Sequence, residues 1–130
     1  MNILVTLPKQ LLEKIISGEK TLEMRKCRPK LMGMGVDGFF IVEKGTGNVR
    51  CWCRVDDVYD VTINHNVAER YSSRLCVSTE YIEKYATDNK VYMWKIGKVI
   101  AYDHLKRETL GADRNPQQFT YCLFSYGESF

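Results

Sequence analysis

The chain has 130 residues, of which 45% are apolar, 12% aromatic and 27% charged, with only three prolines. That composition is far from disordered, collagen-like or low-complexity chains, and the length suits one domain around one core. Nineteen basic residues against sixteen acidic ones give a net charge of +3, which neither demands nor excludes a nucleic-acid partner.

The distribution of charge says more than the total. Lys20, Arg25, Lys26, Arg28 and Lys30 fall within eleven residues that hold one acid, Glu23, so this window carries +4 and the rest of the chain −1. One basic segment in a nearly neutral protein is the pattern of a local anion site for phosphate, nucleotide or RNA backbone, and equally that of a solvated loop. The five cysteines, Cys27, Cys51, Cys53, Cys76 and Cys122, are odd in number and form no C-x-x-C pair, which argues against a disulfide framework or a disulfide-linked partner. Cys51 and Cys53 share a strand face with Val49 and Val55 and suit small buried fillers. His65 and His104 stand alone, so neither a metal site nor a cofactor is expected. No apolar run approaches the roughly 20 residues that span a bilayer. The opening MNILVTLP leads into a charged amphipathic segment and not a signal-type core, so a cytoplasmic protein without membrane contact is expected.

Asn2 to Thr6 reads as a first strand. Pro8 suits the first turn of a helix whose Leu11, Leu12, Ile15 and Ile16 form one buried face, and Gly18 stops it. Lys20 to Arg25 alternates, with Leu22 and Met24 on one side and Thr21, Glu23 and Arg25 on the other, as a half-buried strand does. Gly33, Gly35 and Gly38 punctuate a loop before a strand at Phe39 to Val42. Gly45-Thr46-Gly47-Asn48 is a hairpin turn, and Val49 to Tyr59 returns as the partner. On that strand Arg50, Trp52 and Arg54 share a face, either as half of a barrel interior or as an exposed binding strip. Residues 64–75 are helical in part, and Ser78 or Thr79 caps a helix with Tyr81, Ile82, Tyr85 and Ala86 as its apolar stripe. After a turn at Asp88-Asn89, Val91 to Tyr102 is a long strand with Tyr92, Trp94 and Ile96 on one side and Met93 and Lys95 on the other. Residues 111–116 are loop, and Thr120 to Phe124 forms a last strand. Few helices separate these strands, which favours an α+β barrel over a doubly wound sheet.

Gly18-Glu19-Lys20-Thr21-Leu22-Glu23-Met24-Arg25 resembles the G-x-K-x-x-E-x-R signature of ASCH domains, members of the PUA-like superfamily. Val91 to Ile96 with Val99 to Asp103 is similar to the late strand pair of small bacterial and phage ASCH-like proteins. Asn115-Pro116-Gln117-Gln118-Phe119-Thr120-Tyr121 resembles their P-Q-S-W-x-Y element, with Gln118 and Phe119 standing where that pattern has serine and tryptophan. Residues 64–78 match nothing in the pattern. The resemblance implies a mostly antiparallel PUA-like β-barrel with flanking short helices and a cleft at the helix-to-strand junction.

Gly18 permits the turn that brings Lys20 to the barrel mouth as a free cation, while Glu23 and Arg25, two apart on one face, can pair or share a ligand. The resemblance implies recognition of RNA or of a nucleotide or nucleoside. Lys20, Thr21, Glu23, Arg25, Lys26, Arg28, Arg54 and Gln117 are candidates for its polar contacts, and Trp94 and Tyr121, with Trp52 and Phe119, for stacking. Each of these aromatics also suits the core. The rival reading is a hydrolase acting on an acylated cytidine or on RNA, with Lys20 and Glu23 as catalytic residues. Against the amidohydrolase motif G-x-K-T-x-T-x-R, Lys20 and Thr21 match but Glu23 replaces the nucleophilic threonine, and the third residue has only regional counterparts in Glu69 and Glu80. A small interaction protein with a relic cleft is a third reading.

Overall fold

The computed structural model describes residues 2–29 and 38–122. Lys30, Gly33, Gly35 and Phe124, named above, lie outside the described residues. The elements are β1 (Ile3–Leu7), α1 (Lys9–Ile16), β2 (Leu22–Arg25), β3 (Gly38–Glu43), β4 (Asn48–Thr62), α2 (His65–Leu75), α3 (Thr79–Tyr85), β5 (Lys90–Lys106), a 3-10 turn (Arg107–Leu110) and β6 (Thr120–Tyr121).

The two longest strands organise the rest. β4 and β5 pair antiparallel from Asn48 opposite Lys106 to Thr62 opposite Lys90, and three register irregularities bend the ribbon along its length. One end of the ribbon carries β3 and β1, and the other carries β2, in the order β2-β5-β4-β3-β1-β6. Only β1 with β3 is parallel, as a strand-helix-strand excursion through α1 and β2 allows. The class is α+β, but the expected closed barrel is not formed among the described residues. β2 and β6 are the two ends of the sheet, and no ladder joins them. β6 covers only Ile3 and Leu4 of β1, which leaves the Thr6 end of β1 unpaired on that side.

Period-two alternation in β1 and β3 sorts their side chains into two cores. Ile3, Val5, Leu7, Phe39 and Ile41 pack with Cys51, Cys53 and Trp94 beneath Leu12 and Ile15 of α1. Leu4, Phe40 and Val42 pack with Trp52, Leu105 and Leu110 on the other side. Val49 belongs to this second core and not with the cysteines, because the register shifts between Val49 and Cys51. A third core forms where α2 and α3 cover Leu22, Met24, Val91 and Met93. The expected half-buried β2 is corrected, since all four of its residues are buried: Leu22 and Met24 under these helices, Glu23 and Arg25 on the opposite face.

The ladder of Arg50, Trp52 and Arg54 is neither a barrel interior nor a binding strip. Trp52 is buried with its indole N–H donating to Asn2 Oδ1 at 3.0 Å, while Arg50 and Arg54 pair with Glu43 and Asp56. Residues 65–75 form a full helix, capped by the Asn64 side chain, and Ser78 caps α3. Asp88 and Asn89 have φ of 52° and 61°, the left-handed pair that a tight two-residue turn into β5 requires. Among the described residues no helix is long and apolar enough to cross a membrane.

Gly38 shows how closely β3 lies on β4. A Cβ there would overlap the Cys53 carbonyl oxygen and stand 2.8 Å from the Trp52 indole. Gly38→Ala is expected to lower the urea midpoint by the equivalent of about 1–3 kcal/mol with an unchanged m-value, as equilibrium denaturation followed by tryptophan fluorescence would show.

Candidate ligand-binding cavity

The turn after α1 sets the site. Gly18, at φ +85°, closes the helix, and the Lys20 N–H reaches back to the Lys14 carbonyl at 2.9 Å. Thr21 is then tied on both sides, its N–H to the Arg74 carbonyl and its carbonyl to the Ile96 N–H, each at 3.0 Å. This places Lys20 under the end of α2 and starts β2 against β5. The next residues alternate, so Leu22 and Met24 enter the helix-covered core and Glu23 and Arg25 face the other way.

Lys20, Glu23 and Arg25 are 3%, 4% and 5% exposed. The Lys20 ammonium donates to the Leu75 carbonyl at 2.8 Å and lies 3.4 Å from Glu23 Oε1. A cation at the C-terminus of α2 satisfies one of its end carbonyls and suits the helix dipole. Arg25 holds Glu23 Oε2 through both Nε and Nη2 at 2.7 Å. The same guanidinium donates from Nη1 to the Gln118 carbonyl and from Nη2 to the Thr6 carbonyl, both at 3.1 Å. One side chain thus crosses the gap that no strand pairing closes.

Burial alone pushes the Glu23 carboxyl up, but Arg25 and then Lys20 outweigh it and hold it below the usual range. The expected free cation at position 20 is therefore an engaged one. Its partners are Glu23 and a helix end that sequence spacing could not bring near.

A cavity of about 500 Å³ lies along this gap. Its polar floor is Lys20, Glu23 and Arg25. Thr6, Leu7, Pro8 and Leu11 form one wall, residues 115–118 another, and Leu75, Val77, Tyr81 and Tyr85 the third, with Lys44 at the edge. A mostly apolar concavity of this size with a few convergent polar groups is the usual form of a small-molecule site. Tyr81 is 51% exposed and stacks on Tyr85 with centroids 6.1 Å apart. Lys26 lies 5.1 Å above the Tyr85 ring, and burial pushes the Tyr85 phenol up while Gln118 hydrogen-bonds to it. His65, 2.9 Å from both Glu69 and Glu83, clasps α3 to α2 and so supports the tyrosine wall.

Of the residues expected at the site, Lys20, Glu23, Arg25 and Gln117 line the cavity and Lys26 flanks it. Thr21 and Arg28 are exposed and outside the lining. Arg54 is engaged with Asp56 and also lies outside it. Trp94 is fully buried with its edge against Phe39, so it cannot serve as a stacking platform. Tyr121 of β6 packs edge-on to Phe119 and is outside the cavity lining. Sequence reasoning missed Tyr81, Tyr85, Thr6 and Gln118. The two tyrosines sit four apart beside Ile82 and read as a core stripe; their hydroxyls, in a helix of seven residues, were the available signal.

No family model matches the sequence, and no curated protein matches it. The fold does match solved structures. ASCH from Zymomonas mobilis covers 92% of this chain and 86% of its own with a TM-score of 0.74 at 17% identity. Two point variants of that protein give TM-scores of 0.75 and 0.76, also at 17% identity and 92% coverage of this chain, with 87% and 88% of their own chains covered. The chain has an ASCH-like fold, in agreement with the sequence resemblance.

Glu23→Gln should cost about 3–5 kcal/mol, because two buried cations lose their carboxylate. Since the folded-state pKa of Glu23 is lowered, its contribution is complete above the ordinary value of 4.5 and is lost as pH falls through the lower folded value. Wild-type stability should thus fall more steeply than that of Glu23→Gln below about pH 4.5, as urea titrations at stepped pH would reveal.

Proposed function

We propose that this cavity binds RNA or a nucleotide-like ligand and that the protein is a binding module. The observation that carries the reading is the buried trio of Lys20, Glu23 and Arg25 on the floor of an otherwise largely apolar cavity. Charged donors at the base give orientation. Tyr81 and Tyr85 at the rim offer the aromatic face on which a base stacks, and Lys26 and Lys44 supply positive charge near the opening for a nucleic-acid backbone. An ASCH-like fold is in keeping with this, since the sequence resemblance implies RNA or modified-base recognition.

The hydrolase alternative is weaker. Glu23 accepts from Lys20 and twice from Arg25, and a carboxylate held below its ordinary range is a poor general base. Thr21, the remaining threonine of the amidohydrolase pattern, is exposed and outside the cavity.

A thermal-shift panel of nucleosides, nucleotides and short oligoribonucleotides should raise the apparent Tm for a subset of them, since a ligand of the native state stabilises it. Tyr81→Ala, at an exposed position, should weaken the best binder by about 1–3 kcal/mol in calorimetric titration. Binding that is unaffected by Tyr81→Ala and by salt would overturn the reading.

A further inference from the structure

We propose that the group seated against Lys20 and Arg25 is a phosphomonoester, carried by a free nucleotide or by a phosphorylated RNA end. This rests on the nucleotide-binding reading and adds which part of the ligand enters the cavity.

Charge is the first argument. Two cations and one carboxylate, none more than 5% exposed, leave the trio with one unit of positive charge. Buried charge without a counter-charge is costly. Among the described residues no second Asp or Glu lines the cavity, and Lys44 at its edge adds another positive charge. The missing complement is negative.

Donor accounting points the same way. A lysine has three N–H donors and an arginine five. Lys20 spends one on the Leu75 carbonyl and one on Glu23. Arg25 spends two on Glu23 and one each on Thr6 and Gln118. One charged N–H remains on each. Glu23 Oε2 already takes both bonds from Arg25 and Oε1 takes Lys20, which leaves the carboxylate one lone pair to offer. The floor has donors in excess.

A neutral nucleobase edge brings donors along with acceptors and no charge. An ionised phosphomonoester brings about −1.5 to −2 of charge and three strong acceptor oxygens. That matches the trio together with Lys44. The cavity, at about 500 Å³, has room beyond a phosphate, in the direction of Tyr81 and Tyr85.

The test is calorimetric titration of the full chain with a nucleoside, its 5′-monophosphate, inorganic phosphate, and one oligoribonucleotide with either a phosphorylated or a hydroxyl end. The monophosphate should bind at least about tenfold tighter than the nucleoside, the worth of one charge-assisted hydrogen bond. Its affinity should rise between pH 5 and 7 as the second phosphate proton leaves near pH 6. If the phosphorylated oligonucleotide outbinds both its hydroxyl form and the mononucleotide, the source is an RNA end; if the mononucleotide matches it, the source is free nucleotide. Lys20→Met leaves a neutral Glu23–Arg25 pair and should abolish the preference for phosphate. Lys44→Gln, at an exposed position, should reduce it and keeps the test decisive if Lys20→Met does not fold. Equal affinity for nucleoside and monophosphate would overturn the inference while leaving the nucleotide reading in place. Inorganic phosphate binding as tightly as the monophosphate, with no binding of the nucleoside, would support the anion seat and overturn the nucleotide reading. Absence of binding by every probe would overturn both.

Discussion

Glu23 is the carboxylate on which this architecture turns. It holds Lys20 on one oxygen and Arg25 on the other, and through those two cations it connects four parts of the chain that have no sheet pairing with one another. Lys20 leads to the end of α2, and Arg25 leads to β1 and to the segment before β6. A strand ladder could have closed the same gap. A guanidinium does so with four directed hydrogen bonds and leaves a cavity beside it, which a ladder would have filled.

Such a device is hard to explain by stability alone. Desolvating three charged side chains costs several kcal/mol per ion, and well-packed apolar residues often do as well or better in their place. Apolar packing dominates elsewhere among the described residues, with three cores of aliphatic and aromatic side chains. Among the described residues, the one place where charged side chains are buried together is also the floor of a cavity. Burial and function meet there because a low-dielectric setting strengthens the interaction of Lys20 and Arg25 with anything that enters.

Much of this could be read along the chain. The hairpin at residues 45–48, the helix stopped by Gly18, the alternation in β2 and the Ser78 cap all depend on contacts within a few residues, where propensity and periodicity act directly. The motif from Gly18 to Arg25 identified three of the cavity's polar groups for the same reason: on a strand, Glu23 and Arg25 must share a face. Val49 was misread because a bulge has no reliable signature in sequence. Arg54 and Trp94 were misread because a strand residue's face does not say whether another element covers that face.

The sequence by itself determined the class, α+β, the choice of Lys20, Glu23 and Arg25 as site residues and the local turns that present them, while their mutual burial came from the fold. Tertiary structure alone decided that Lys20 would end against the Leu75 carbonyl, that Arg25 would bridge to Thr6 and Gln118, and that Tyr81 and Tyr85 would wall the cavity. The reason is distance along the chain. Gln118 is 93 residues from Arg25 and Leu75 is 55 from Lys20, separations across which no periodicity carries. Those contacts exist only once the β4–β5 ribbon has bent and brought its two ends to one gap.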